Sequence, residues 1–341
     1  MVFHPAIAEY YQLTTGTTPP TEAPPPNNGT GQENHTLWAL EVSLDVETAH
    51  AIAPQANILL VTTPTAETLG VQGFPDFMKA EQYVVDHHLA DVTSQSFGSA
   101  EDAFSGTQSL LNLRHAFISA AQSNVTVLAS SGDNGTANIV KQPTKKPATI
   151  PFPTVGWPAS DPLVTGVGGT YLCIQATGTA NAAPSTRIAD NVSPGGRCPA
   201  FPGQAEVGWT FSGGGFSHVF SRPSYQDSLP AASTPIGSMR GVPHVGFQAS
   251  AGTGGLVFIS LPPDGQSGLI CGNVPCNTGW FDIGGTSLSC PQWAGLVAIA
   301  AQINGGHDLG LINPALYKIG SDPTRYANPP GILTNDRIRQ F

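Results

Sequence analysis

The chain has 341 residues, 40% hydrophobic but only 11% charged, with 23 acidic residues against 13 basic ones and a formal net charge of −10. That balance argues against nucleic acid as a partner, because too few cations exist to neutralise phosphates. No stretch is long and apolar enough for a membrane-spanning helix, and the sparse surface charge suits an acidic medium, since few groups change state as pH falls.

The start, "MVFHPAIAEYYQ", has neither the basic opening nor the apolar run of a secretory signal. Residues 1–36 form an N-terminal segment, of which 14–34 is a polar, Pro-rich loop without periodicity. "TLWALEVSLDVETAHAIA" (36–53) carries apolar residues at helical spacing, and "ANILLVTT" (56–63) is a short apolar run between prolines, a buried-strand pattern. "FPDFMKAEQYVVDHHLA" (74–90) predicts a helix, "DVTSQSFG" (91–98) a strand, and "DAFSGTQSLLNLRHAFISAAQSN" (102–124) one long helix. "VTVLASSGDNG" (125–135) reads as a strand ending in a turn. Strand and helix in alternation predict an α/β domain, a parallel sheet flanked by helices with right-handed crossovers. After Gly135 the texture changes to strands and turns, and helical spacing resumes at Ser287 in "SLSCPQWAGLVAIAAQIN". The 39 Gly and 31 Pro fit so loop-rich a stretch. No linker divides 37–341, so it is expected to be a single domain.

Five cysteines occur, at 173, 198, 271, 276 and 290, none at metal-ligand spacing. Cys271 and Cys276 bracket a short loop, and Cys173 and Cys198 flank a small-residue insertion. Each pair is a candidate bridge, although spacing fixes no connectivity, and Cys290 is the odd one out. Five Asn-x-Ser/Thr sites, at Asn28, Asn34, Asn124, Asn134 and Asn191, support secretion only weakly in a chain this rich in Ser and Thr.

Four side chains attract chemistry. Ser287 follows Gly284, Gly285 and Thr286 at the start of a predicted helix, where backbone N–H groups and the helix dipole favour an oxyanion. The glycines let a substrate approach the backbone closely. Thr286 or Ser287 would serve equally as an ordinary helix cap, and Pro291 is expected in the first turn, where its missing N–H is harmless. A serine nucleophile needs a base. None of the nine histidines stands in a matching context; His87 and His88 read as surface residues, His218 and His244 as structural ones. Glu41 and Asp45 are four apart, on one face of the predicted helix, an awkward pair of acids unless they share a proton. Asp133 closes the strand "VTVLA", where open α/β sheets place their ligand crevice, though Asp-Asn-Gly is also a strong turn signal.

Taken together, "GGTSLSCPQWAGL", "EVSLDVETAHAIAPQANI", "LASSGDNG", "FSGGGFSHVFSRPSYQ" and "PASDPLVTGVGGT" resemble the sedolisin family, the serine-carboxyl peptidases, in family order from about residue 33 to about 318. The resemblance implies a subtilisin-like fold with Ser287 as nucleophile, Glu41 as general base, Asp45 orienting that base and Asp133 supporting the oxyanion. It implies that "SQSFG" (Ser94, Ser96 and Gly98 among them) is a cleft-edge strand that binds peptide by strand addition, with Gly284 and Gly285 also lining the cleft. The expected partner is a peptide or unfolded protein, acted on by a monomer in acid, outside the cell or in an acidic compartment. The family carries calcium near its C-terminus, yet "SDPTRYANPPGILTNDRIRQF" holds Asp322 and Asp336 without a recognisable calcium loop, so no metal ligand and no cofactor is nominated. The opening strand and the C-terminal calcium region are expected to be incomplete, and His244 and Cys290 stand where the family usually has an acid and a small residue. A non-catalytic homologue acting as a binding module is therefore the alternative. A conventional subtilisin-like protease is disfavoured, because no suitable His or strand-end Asp precedes the serine in this chain.

Overall fold

The computed structural model describes residues 2–4, 11–12, 31–63, 71–142, 145–172, 206–228, 237–250, 255–260, 269–271, 274–276 and 278–322. In chain order the first half comprises strands β1 (Val2–His4) and β2 (Tyr11–Gln12), helix α1 (Gly31–Ile52), β3 (Leu59–Thr62), α2 (Phe74–Asp86), β4 (Val92–Gln95), β5 (Ser99–Ala100), α3 (Thr107–Leu111), α4 (His115–Gln122) and β6 (Thr126–Ser130). There follow β7 (Ile139–Gln142), β8 (Lys145–Thr149), β9 (Gly156–Trp157), β10 (Thr165–Leu172), β11 (Glu206–Gly208), β12 (Gly215–Ser221), β13 (Met239–Val242) and β14 (Val245–Gln248). The last part holds β15 (Gly255–Ser260), β16 (Leu269–Cys271), β17 (Val274–Cys276), β18 (Thr278–Ile283), α5 (Thr286–Ile303) and α6 (Asn313–Gly320).

The main sheet runs β11-β10-β6-β4-β1-β3-β2, with β14 also on β10. Its interior pairs β3/β1, β1/β4, β4/β6, β6/β10 and β10/β14 are parallel, and the edges β2 and β11 are antiparallel. Short strand β1, for which the sequence offers no periodicity, sits between β3 and β4, with Val2 opposite both Leu60 and Ser94. Central strands covered on both faces carry near-continuous burial, and all of β4 and β6 is buried.

Side-chain alternation sorts the core into two faces. Val127 and Ala129 of β6 join α2 and α4 in a cluster with Phe74, Phe77, Phe104, Phe117 and Trp157. Leu128, between them, joins Cys290, Ala294 and Val297 of α5 on the other face. Helix α1 lies beside α5: Leu44 clusters with Leu288, and a Cβ on Gly295 would come within 2.7 Å of Ile52. Gly295 is what lets the two helices meet this closely.

Four boundaries differ from the sequence reading. Helix α1 begins at Gly31, inside the expected loop. Helix α2 stops at Asp86, with His87 as its C-cap and His88 in the left-handed region at φ 50°. The expected helix over 102–124 is three pieces, a 3-10 turn (Glu101–Ala103), α3 and α4. Gly106, at φ 155°, precedes α3, and Arg114 is drawn off to Asp161 by hydrogen bonds of 2.5 and 2.9 Å. Pro291 lies in the second turn of α5, not the first, so it withholds the helical hydrogen bond from the carbonyl of Ser287 four residues back. Among the described residues no helix is long and apolar enough to cross a membrane.

Candidate active site

The sequence-derived residues gather at the C-terminal ends of β4 and β6 and at the start of α5, the edge where parallel sheets place their ligands. Helix α5 begins with Gly285 as its N-cap, at φ 129° and without a side-chain cap. Neither Thr286 nor Ser287 is therefore spent as a helix cap. The N–H of Gly285 is held by the carbonyl of Ala249 at 2.6 Å. Ser287 occupies the first turn and is half-buried, where the leading N–H groups have no partner within the helix.

Asp133 follows β6 and reaches this helix start. Its Oδ1 accepts two hydrogen bonds from one residue, the Thr286 N–H at 2.7 Å and the Thr286 hydroxyl at 2.8 Å. The Thr286 hydroxyl in turn accepts the Gly132 N–H at 3.0 Å. Gly285 must lack a side chain, because a Cβ there would stand 2.8 Å from Asp133 Oδ2. Burial of the carboxyl raises its pKa above the ordinary Asp value, opposed by the two donors of Thr286. The residue as a whole keeps surface exposed, so water remains close to the carboxyl.

Behind the serine lie the α1 carboxyls. Asp45 is 0% exposed, and its Oδ1 accepts the Ser96 hydroxyl at 2.7 Å. Burial holds its pKa well above the carboxylate range, with Ser96 pulling the other way. Glu41, one turn earlier on α1, has its Oε1 sealed from solvent. Cys290 lies one turn after Ser287 on α5, and α1 packs beside this turn through Leu40 and Leu44 against Leu288; the buried thiol is pushed up to about 12, first by burial, with Asp45 and then Glu41 adding to the rise and Ser94 opposing it. The Ser94 hydroxyl donates to Cys290 Sγ at 3.3 Å. The structure thus brings Ser287, Glu41, Asp45 and Asp133 to one region, around the first turns of α5.

Ser94 does not lie at a cleft edge, whereas Ser96 follows the end of β4 (Val92–Gln95). Ser94 sits in an interior strand, opposite Val2 on one side and Leu128 on the other, so its backbone already has neighbours on both sides and its side chain is fully buried. The hydroxyl of Ser96 is committed to Asp45. Gly98 lies beyond the strand, where a Cβ would stand 3.3 Å from the carbonyl oxygen of Trp157. Gly284 and Gly285 lead into the first turn of α5.

Several contributors escaped the sequence reading. Thr286 reads there as a cap, yet its hydroxyl links Gly132 to Asp133. Gly213, within "FSGGGF", lies so close to the β6 turn that a Cβ would be 2.0 Å from the Ser131 carbonyl, and its N–H donates to Gly132 at 2.6 Å. A triple glycine is the available signal. His244 is buried among Arg240, Tyr225 and Tyr317 and accepts the Gly166 N–H at Nδ1, 2.9 Å. Burial and Arg240 keep its pKa well below the ordinary value, which favours the neutral ring. His218 pairs with Asp102 at 2.9 Å. The side chains of Cys173, Cys198, Cys271 and Cys276 lie outside the described residues, as does the tail from 323 onward that the calcium reading concerns. Among the described residues no group of three or more His, Cys, Asp or Glu is arranged to hold a metal ion.

No protein-family model matches the chain. It is 31% identical over 284 residues to kumamolisin of Bacillus sp. (strain MN-32), across 82% of this chain and 42% of that protein. It is 26% identical over 296 residues to tripeptidyl-peptidase 1 of Homo sapiens, across 84% of this chain and 44% of that protein. The chain thus spans less than half the length of these curated relatives. Among solved structures it is similar to Pseudomonas sedolisin, a serine-carboxyl proteinase complexed with two molecules of pseudo-iodotyrostatin, with TM-score 0.59, 25% identity, and 85% of this chain and 68% of that one covered.

Proposed function

The chain belongs to the sedolisin family, and from that premise we propose that it is an acid-acting serine-carboxyl peptidase. The observation that carries the reading is the seat of Asp133 against the N-terminus of α5, bonded to Thr286 at 2.7 and 2.8 Å, one residue before the serine. An acid at that place, protonated, supplies an O–H donor beside the helix N–H groups where an oxyanion would form.

In this mechanism Glu41, as carboxylate, removes the proton of Ser287 while Oγ bonds to the carbonyl carbon of a peptide. The carbonyl electron pair moves onto oxygen, and the Asp133 O–H and the N-terminal turn of α5 receive it. Collapse of the tetrahedral species breaks the C–N bond, and the leaving amine takes the proton from Glu41. Water then repeats the sequence on the acyl-serine and frees Ser287. Asp45, buried and held by Ser96, keeps a proton and shares it with Glu41, so the two acids titrate as one unit. Glu41 must be ionised while Asp133 stays protonated, which confines activity to acid and makes an acidic compartment or medium its setting. Calcium takes part in none of these steps.

Hydrolysis of an unfolded protein substrate, followed across pH with Ser287→Ala as control, tests the proposal. A bell-shaped acid optimum that vanishes in the variant supports it. A profile flat from acid to neutral sinks the carboxylate mechanism, and no cleavage at any pH leaves the non-catalytic binding module.

A further inference from the structure

A free carboxylic acid places its proton on either oxygen, and only one of the two placements points a donor at a given target. Asp133 is not free in this sense. Its Oδ1 accepts both the backbone N–H and the hydroxyl of Thr286, at 2.7 and 2.8 Å. An oxygen receiving two donors has its lone pairs engaged, which suits the carbonyl oxygen of the acid and not its hydroxyl oxygen. The direction of the Thr286 hydroxyl is itself fixed, because Gly132 N–H donates to that oxygen at 3.0 Å and leaves the hydrogen to Asp133. On the other side, Oδ2 lies against Gly285, whose missing Cβ would be 2.8 Å away.

We propose that Thr286 is a positioning residue that holds the acid proton of Asp133 on Oδ2, the oxygen facing Gly285, where the Ser287 N–H nitrogen lies 3.7 Å from the same Cβ position. The inference rests on the peptidase reading for its catalytic meaning, but the placement of the proton is a property of the free protein. Thr286 is 1% exposed and touches no substrate; it acts through Asp133. The groups that set the protonation of Asp133 are its own burial and the two Thr286 donors. Glu41 and Asp45 on α1, Cys290 on α5 and Asp282 on β18 are the titratable side chains of the neighbouring elements, and none contributes to that shift.

Removing the hydroxyl has two consequences with opposite signs. The Thr286 hydroxyl favours the ionised form, so Thr286→Val keeps Asp133 protonated to higher pH. It also frees Oδ1 to take the proton, so the correctly aimed population falls. The expected result is a lower maximal kcat, by about tenfold for the loss of one positioned hydrogen bond, together with an alkaline limb displaced to higher pH. Thr286→Ser, which keeps the donor, restores both. A residue that merely supports the fold would lower activity without moving the limb.

The closing experiment is a carbon-13 titration of the Asp133 carboxyl in the wild type, Thr286→Val and Thr286→Ser, run beside the hydrolysis profiles. The midpoint is expected to rise in the Val variant and return in the Ser variant. In the wild type the Thr286 amide shift is expected to titrate with the same midpoint as the carboxyl, a readout that needs no variant to fold. An unmoved midpoint in Thr286→Val, or a Thr286 amide insensitive to the Asp133 titration, overturns the proposal. A wild type that shows these titrations but cleaves no peptide overturns the peptidase reading alone.

Discussion

Strand β4 presents one buried carboxyl arrangement on each face of the sheet, and the two are instructive side by side. Thr93 and Gln95 point to Glu81 of α2, whose oxygens they bond at 3.0 and 3.1 Å. Ser94 points the other way to Cys290, and Ser96, just past the strand end, to Asp45. Glu81 is 1% exposed and Asp45 0%, and burial raises the pKa of both. A perturbed carboxyl is thus no sign of chemistry in itself. What separates the two is company: Glu81 faces hydroxyl and amide donors beneath an aromatic core, whereas Asp45 shares its neighbourhood with a second acid and a serine at a helix start.

The largest effect expected from this contrast is on turnover. Glu41→Gln or Asp45→Asn should lower kcat/KM by about a thousandfold, a loss on the order of 4 kcal/mol of transition-state stabilisation. Glu81→Gln, an equally buried change on the opposite face, should leave it within about threefold. Michaelis profiles of the purified variants at the acid optimum decide this, and loss of activity in all three alike would erase the distinction between the faces.

Next comes Gly285→Ala. The methyl would arrive 2.8 Å from Asp133 Oδ2, at a backbone φ of 129°. Steric displacement of Asp133 and the positive φ act together, so a stability loss of about 1–3 kcal/mol should accompany a fall in activity of about a hundredfold. Gly106→Ala, also at positive φ but with nothing within 4 Å, should cost stability without this loss of turnover. Thermal melts paired with assays separate strain from damage to the site.

How far these two faces could be read from the sequence differs for a physical reason. The sheet and its flanking helices were legible because apolar spacing reports burial locally: α2 shows Phe74, Phe77, Met78, Glu81 and Val84 buried at helical intervals. Ser287, Glu41, Asp45 and Asp133 were legible only as a set, since each alone reads as a cap, a helix face or a turn. The roles of Ser96, Thr286 and Gly213 were not legible, because their partners are respectively 51, 153 and 82 positions away and no local pattern encodes a contact of that range. The breaks at Gly106 and His87 were missed for a related reason. Between α3 and α4, likewise, the tertiary pairing of Arg114 with Asp161 accompanies a break that a continuous helical pattern conceals.

Stability against pH sharpens the comparison further. Glu81 has its pKa raised from 4.5 to about 7 by burial. Between those values the folded protein keeps a proton that the unfolded chain releases. Its contribution is therefore fully present below the unfolded value and is lost as pH rises through about 7, a change on the order of 3 kcal/mol. Asp45 and Asp133 are shifted in the same direction. The folded state should accordingly be more stable in acid than at neutral pH. Denaturant titrations at several pH values should show this fall, and Glu81→Gln should make it shallower by raising stability near neutrality. A fall of equal depth in the variant would assign the effect to the other face.

The smallest effect belongs to Cys290, the thiol that sits between the two readings of this site. It is fully buried, meets Ser94 at 3.3 Å, and its pKa is pushed up to about 12 by burial and the nearby acids. Nucleophilic cysteines need a stabilised thiolate, and here the neighbouring carboxyls work against one. A thiol reagent at neutral pH should therefore leave the Cys290 peptide unmodified in the folded protein and label it on unfolding, as read by mass mapping. Cys290→Ala removes one packed atom next to Leu128 and Val167, costing about 1–2 kcal/mol, with activity changed by less than about threefold. Rapid labelling of the native thiol would mean that the α1–α5 seam opens readily, and the acids behind Ser287 would then be solvated instead of buried.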